Sequence, residues 1–209
     1  MKQTLRYCFP LFVIVLTCCF SQPYAAIVKM ERVLDTKGRE VVVDDGYSIL
    51  AAVSGNGGAV KLQNDTNCSS GVIQEPKESN SEVDSVTFNP SNPNTRILRT
   101  ATFLNIFFFR PVPLPLEGSS NATCVFDGGW QIEPYDAKKK RYFVTGGAET
   151  SSKVRFNIMG ASNNYTLWYC PYLKSCRGIG VYDDNGVRRL ALSDVQLAFK
   201  FVNRFDYHV

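Results

Sequence analysis

The chain has 209 residues, 44% of them hydrophobic, and its 23 basic and 19 acidic side chains give a formal net charge of +4 at pH 7. So small an excess of positive charge excludes nucleic acid as an expected partner. The only histidine, His208, is the penultimate residue, and a serine or cysteine nucleophile without a histidine base is a poor catalyst. No two cysteines have the Cys-x-x-Cys spacing of a zinc site. We therefore expect that the protein is not an enzyme and that it binds no metal and no cofactor.

The N-terminal segment has the pattern of a secretory signal peptide. Lys2 and Arg6 precede an apolar stretch over residues 7–20, which is too short to span a bilayer but has the length of a signal's hydrophobic region. We predict a signal over residues 1–26 and one mature domain over residues 27–209. The mature protein is then expected to have no membrane span and to be secreted, to the apoplast or to the vacuole.

Cysteine usage agrees with an oxidising compartment. Three of the seven cysteines lie in the predicted signal, and the other four are an even number, which predicts two disulfides. Four cysteines allow three connectivities. Cys170 and Cys176 are natural partners because they flank a short loop that contains proline, and this leaves Cys68 with Cys124. Four Asn-x-Ser/Thr sequons predict a glycoprotein, at Asn64, Asn67, Asn121 and Asn164.

Along the mature chain the apolar pattern is that of short strands with almost no helix. Apolar and β-branched segments of about four to eight residues are separated by Gly, Asn, Asp, Ser and Pro, and no window has a clean 3.6-residue period. Near the C-terminus, Asn185-Gly186 between two alternating segments predicts a hairpin. Many short strands at close spacing indicate a barrel or a sandwich. In chain order the segments are 41–43, 47–50, 60–62, 83–88, 104–109, 125–126, 130–132, 154–158 and 195–202.

A faint threefold recurrence narrows this choice. An apolar strand segment returns at intervals of about sixty residues, and each copy is followed by a variable loop and a glycine-marked strand entry. Three such units of four strands would close a β-trefoil, in which no single unit buries its own apolar face. The three units are 47–50 with 57–60, 104–107 with 128–131, and 165–168 with 178–181.

Motifs over nearly the whole mature chain match one known family in residues and spacing. Within the N-terminal signature of that family, which spans residues 33–49 here, only Lys37 departs from the usual residue classes. They are Val33-Leu34-Asp35, Gly38, Val41, Tyr47, Ile49, Asn67-Cys68, 72–74, 88–90, Asn92-Pro93, 104–106, Trp130, 142–147 and 188–192. On these residues the chain resembles the plant Kunitz inhibitors of the soybean trypsin inhibitor type, and in particular their miraculin-like branch. The resemblance implies an all-β fold, a β-trefoil of twelve strands in three pseudo-repeats, with the pairs Cys68–Cys124 and Cys170–Cys176. We also expect a monomer.

In that family, one exposed loop between the fourth and fifth strands inhibits a serine protease by binding in its cleft like a substrate. Asn94 matches the residue that enters the protease's primary pocket, and Thr95 follows it across the scissile bond. Such a preorganised loop loses little entropy on docking, and its cleavage is unproductive. The expected partner is therefore a serine protease, with a cysteine protease as the second choice. The resemblance implies that the loop comprises Asn92, Pro93, Asn94, Thr95, Arg96 and Ile97.

Two departures from the family pattern predict weak inhibition of trypsin. The trypsin pocket ends in a buried carboxylate, and the amide of Asn94 leaves that charge unpaired at a loss of several kcal/mol. Val43 occupies the position of an asparagine that braces the loop by hydrogen bonds in the family. Arg96 is the alternative primary residue, because loops rich in Asn and Pro absorb a shift of one or two residues.

The alternative function is that of a non-inhibitory storage or defence protein, or of a carbohydrate or small-ligand binder, since relatives of this fold include proteins with weak inhibition or none. Trp130, Trp168 and Tyr169 would supply stacking surfaces for a sugar. The loop would then be a simple connection, in which Pro93 and the neighbouring asparagines are ordinary turn residues.

Overall fold

The computed structural model describes residues 29–63, 70–77, 84–109, 114–115, 123–124, 128–147, 155–171 and 175–206. These residues form fourteen β-strands and one short 3-10 turn, with no α-helix among them. The strands are β1 Tyr47–Ala51, β2 Val60–Leu62, β3 Ser70–Gln74, β4 Val86–Pro90, β5 Phe103–Phe108, β6 Leu114–Pro115, β7 Thr123–Cys124, β8 Gly129–Ile132, β9 Val144–Gly147, β10 Phe156–Ala161, β11 Asn164–Tyr169, β12 Arg177–Asp184, β13 Val187–Leu192 and β14 Ala198–Asn203, followed by the 3-10 turn Arg204–Asp206.

Six strands close into a barrel. β1 pairs with β4, β4 with β5, β5 with β10, β10 with β11, β11 with β14, and β14 returns to β1, all antiparallel. Closure satisfies the main-chain groups that an open sheet would leave at its edges. The hairpins β2–β3, β8–β9 and β12–β13 are joined to one another because β3 pairs with both β9 and β13. This arrangement confirms the predicted β-trefoil.

The recurrence in the sequence coincides with the repeat of the fold. Its three apolar segments lie on β1, β5 and β11, the first barrel strand of each unit, and the glycine-marked entries lead into β2, β8 and β12, the first strand of each hairpin. The predicted turn at Asn185-Gly186 joins β12 to β13. Both of its residues have positive φ, 55° and 87°, as the favoured hairpin turn requires.

In the barrel core, buried side chains alternate with less buried ones along β4, β5, β11 and β14, whereas all five residues of β1 are buried. Every second residue of β5 is buried, as expected for a strand with one face toward the core. Phe201, at 0% exposure, meets Phe88 and Phe199 edge to face, with ring centroids 5.4 Å and 5.1 Å apart. Phe88 lies on β4 shortly before the candidate loop, so the aromatic cluster fixes the strand from which that loop departs.

Two predicted segments differ from the structure. Residues 41–43 form one bridge and a turn rather than a strand, because Val42 pairs only with Ile97 of the candidate loop. β14 begins at Ala198 rather than at residue 195, since Val195 lies in a bend that the Ser193 hydroxyl stabilises and is 80% exposed. The structure also has a two-stranded sheet of β6 and β7, separate from the twelve-stranded one, which no predicted segment covers.

Candidate functional site

The loop that joins β4 to β5 is exposed at its tip and buried at its base. Residues 91–94 and Arg96 are exposed, whereas Thr95 and Ile97 are half-buried. The next residue, Leu98, is 0% exposed. The predicted residues 92–97 therefore form one continuous surface segment whose C-terminal end enters the core.

Asn92 organises the tip of this loop. Its side-chain Oδ1 accepts a hydrogen bond from the main-chain N–H of Asn94 (3.1 Å), and its main-chain oxygen accepts one from the N–H of Thr95 (3.0 Å). The two bonds close a four-residue turn in which Pro93 holds the second position, where its fixed φ is suitable. The sequence marks Asn92 as a turn residue, and the structure adds that its side chain shapes the segment around Asn94.

The second half of the loop is held between two N-terminal segments. The main-chain oxygen of Arg96 accepts a hydrogen bond from the N–H of Val43 (3.0 Å), and the N–H of Leu98 donates to the oxygen of Val41 (2.8 Å). On the other side, the N–H of Val33 donates to the oxygen of Leu98 (2.9 Å). Leu98 was not among the predicted site residues, because one leucine in a polar loop carries no pattern.

The first half of the loop leaves the barrel from a fixed point. The N–H of Ser91, directly after β4, donates to the main-chain oxygen of Phe103 at the start of β5 (2.8 Å). β4 is also tied to the N-terminal segment, because the N–H of Phe88 donates to the oxygen of Val43 (3.2 Å). Both ends of the exposed segment are therefore attached to the barrel by hydrogen bonds.

Val43 supports the loop with its main chain rather than its side chain. The side chain is 7% exposed and packs in the hydrophobic core, whereas the N–H reaches Arg96. Val42 is fixed from the core side: its N–H donates to the hydroxyl of Tyr47 (3.0 Å), and burial raises the pKa of that tyrosine. If Val43 stands where the family has its bracing asparagine, as the resemblance implies, the chain lacks that side-chain brace and keeps a main-chain one.

A cleft of about 580 Å³ lies beside the tip. It separates the turn at 92–95 from the N-terminal segment, so the two do not pack closely against each other there. The tip has room to adjust on this side when a partner binds, while the base at Leu98 does not. The residues that frame the cleft include Val43, Asp44, Thr87, Pro93, Thr95 and Arg96.

Charges of both signs lie near the tip: the exposed Asp44 borders the cleft, and two arginines follow Asn94 along the chain. Arg96 and Arg99 are exposed, and within the described ranges neither guanidinium forms an ion pair. Solvated cations of this kind favour encounter with a negatively charged partner surface more than they add affinity. The neutral amide of Asn94 is the group at the tip itself.

One of the two predicted disulfides lies within the described residues. Cys170 and Cys176 form a bond that connects the end of β11 to the start of β12, with Cα atoms 4.2 Å apart. Cys68 and the side chain of Cys124 lie outside the part of the chain that the structure describes. The Cys68–Cys124 pair therefore stays a prediction.

Of the predicted sequons, Asn164 is exposed at the first residue of β11. Residues 1–28, with the predicted signal, lie outside the described residues, as do Asn64, Asn67 and Asn121. In the parts that are described, no three metal-ligating side chains cluster, and no helix is long and apolar enough to cross a membrane.

The aromatic residues considered for sugar stacking do not form one surface. Trp130 is 0% exposed and packs against Phe108 and Phe156, with ring centroids 5.8 Å and 6.2 Å away, so it fills the core and offers no stacking surface under the alternative binding function. Its burial follows from its place at the entry of β8, which faces the barrel core. Trp168 is half-buried and donates to the Thr166 hydroxyl (3.0 Å). Tyr169 packs on Phe156 at 5.8 Å.

Comparison with known proteins gives the family. The model of the Kunitz legume family, described as trypsin and protease inhibitor, matches residues 33–203, which include the loop. Miraculin from Synsepalum dulcificum is 31% identical over 188 residues, 81% of each chain. Kunitz trypsin inhibitor 5 from Arabidopsis thaliana is 28% identical and covers 82% of this chain and 85% of its own.

A solved structure agrees in shape with the whole domain. The crystal structure of a Kunitz type trypsin inhibitor from Cicer arietinum superposes with a TM-score of 0.66 at 28% identity, and covers 83% of this chain and 98% of its own. The matched proteins with a stated activity are inhibitors rather than enzymes. The chain belongs to the Kunitz legume family of trypsin and protease inhibitors.

Proposed function

We propose that this protein inhibits a serine protease by docking residues 92–97 in the protease cleft like a substrate, after secretion to the apoplast or vacuole. One observation carries the proposal: the exposed segment is attached to the barrel at both ends. Ser91 is bonded to Phe103 on one side, and Arg96 to Val43 on the other. A loop held in this way loses little conformational entropy on binding.

The same attachments distinguish an inhibitor from a substrate. If the bond between Asn94 and Thr95 is cut, the two new ends stay close, because each is still bonded to the barrel. High effective concentration of the two ends favours resynthesis over release. The trypsin inhibitors among the relatives support this use of the fold by analogy.

The geometry favours Asn94 over Arg96 as the residue that enters the primary pocket. If Arg96 filled the pocket, its carbonyl would be the one attacked, yet that oxygen already accepts a hydrogen bond from Val43. The second residue beyond the cut would be Leu98, which is 0% exposed and cannot enter a protease subsite. With Asn94 in the pocket, the second residue beyond the cut is the exposed Arg96.

The test is titration of the purified protein against trypsin, chymotrypsin, subtilisin and a papain-type protease. The natural protein should inhibit trypsin weakly, and Asn94→Arg should bind trypsin about 100- to 4,000-fold more tightly, because it pairs the pocket carboxylate at a gain of about 3–5 kcal/mol. Asn56→Arg, at an exposed position in the connection between β1 and β2, is the control for added charge and should change little. If no form inhibits any protease, a storage or binding role replaces this proposal.

A further inference from the structure

The two asparagines of the tip have different tasks. Asn92 is used within the loop, since its Oδ1 accepts the N–H of Asn94. The Asn94 side chain is exposed, and among the described residues it makes no hydrogen bond. Within the described part of the chain, its donor and its acceptor are therefore both without a partner, in the exposed segment between the attachments at Ser91 and Arg96.

A carboxamide suits a particular kind of pocket. It carries no charge, so it gains nothing from the carboxylate of a trypsin pocket, and its polar atoms lose their water in an apolar pocket without replacement. It is matched by a narrow pocket that supplies one hydrogen-bond donor and one acceptor, and such a pocket strongly rejects side chains that lack these groups.

We propose that the physiological target is an endopeptidase that cleaves after asparagine, with the Asn94 carboxamide in its primary pocket. The inference rests on the substrate-like docking proposed above, and it holds whether the nucleophile of the protease is serine or cysteine.

Specificity for Asn94 is then set by length as well as by polarity. Asn94→Gln keeps the amide but adds one methylene, and a fitted pocket discriminates one methylene by about 10- to 200-fold. Substitution at this exposed position leaves the fold intact, because surface changes cost little stability. Asn56→Gln is the matched control, since Asn56 is exposed in the connection between β1 and β2, away from the loop.

The experiment measures inhibition constants of the secreted, disulfide-bonded protein against an asparaginyl endopeptidase acting on a fluorogenic asparagine substrate. We expect the natural protein and Asn56→Gln to inhibit equally, and Asn94→Gln to be weaker by about 10- to 200-fold. Mass spectrometry of the mixture should find the chain intact, or cut only between Asn94 and Thr95 with inhibition retained.

Two results would overturn the inference. One is that the natural protein fails to inhibit the asparaginyl endopeptidase while Asn94→Arg inhibits trypsin. The loop would then be a reactive site, but its target would not be a protease that is specific for asparagine. The other is rapid cleavage after Asn94 with loss of inhibition, which makes the loop a substrate. Failure of both the natural protein and Asn94→Arg against every protease would instead refute the proposed function itself.

Discussion

Leu98 attaches the candidate loop to the core, and its truncation tests that attachment. The side chain is 0% exposed, and its main chain is bonded to Val41 and Val33 on either side. Leu98→Ala should cost about 3 kcal/mol, as for other fully buried leucines that leave a cavity. In a domain of this size, that loss corresponds to a melting temperature lower by about 6–12 °C, and a protein with 5–15 kcal/mol of stability, the usual range, stays folded.

A second variant, Leu190→Ala, distinguishes local opening of the loop from a general loss of stability. Leu190 is also 0% exposed but lies on β13, in a hairpin away from the loop. Leu190→Ala should lower the melting temperature by a similar amount. Only Leu98→Ala should increase trypsin cleavage after Arg96 or Arg99. The increase should reach up to about 100-fold, because the free energy needed to open this loop locally falls by about 3 kcal/mol.

The assay is limited proteolysis with trypsin, followed by mass spectrometry of the cut sites, alongside thermal unfolding of both variants. Equal cleavage of the two variants at Arg96 and Arg99 would show that the loop opens only when the whole domain unfolds. The base of the loop would then not be a local attachment, and the tip would not be preorganised by it.

Three other predictions concern single side chains. Asn92→Ala should speed hydrogen exchange at the Asn94 amide, whereas Asn92→Asp should not, because only the aspartate keeps an Oδ1 acceptor; equal rates would contradict this role. A hydrogen bond from Lys37 lowers the pKa of Asp206 below its ordinary value of 3.8, so the stability that this carboxylate contributes is present above that pH and is lost as the pH falls through the lower folded-state pKa; the deficit in melting temperature that Asp206→Asn shows at pH 7 should therefore shrink as the pH is lowered below 3.8. Asn164→Gln should remove the mass of one glycan from protein secreted by plant cells, and an unchanged mass would show that the exposed sequon is unused.

The sequence predicts the fold well where local signals and the repeat agree. Asn185-Gly186 specifies its hairpin because few residue pairs tolerate positive φ at both positions, and the structure has that turn. The recurring apolar segments mark β1, β5 and β11 because each unit needs the other two to bury its apolar face. These signals depend on nearby residues or on a fixed period, so they can be read without knowledge of tertiary contacts.

The sequence predicts the loop site less completely, because the site depends on contacts between distant segments. The resemblance implies that Val43 lacks the side-chain brace of the family. The main-chain hydrogen bond from Val43 to Arg96 does not depend on residue type, so no sequence pattern predicts it. A tryptophan such as Trp130 is a residue type that stacks on sugars. Only the packing of β5 and β10 around it shows that it belongs to the core. The role of Leu98 likewise requires knowledge of what covers it.

The arrangement of the loop separates recognition from stability along a few residues of chain. Asn94 is exposed, so its side chain can change with little effect on the free energy of unfolding. Leu98, four positions later, is fully buried, and its change is costly. A barrel that closes on itself does not need the tip for its own core, whereas it needs the base. If the loop docks as proposed, the residue that would select the protease can therefore vary while the geometry that presents it is maintained.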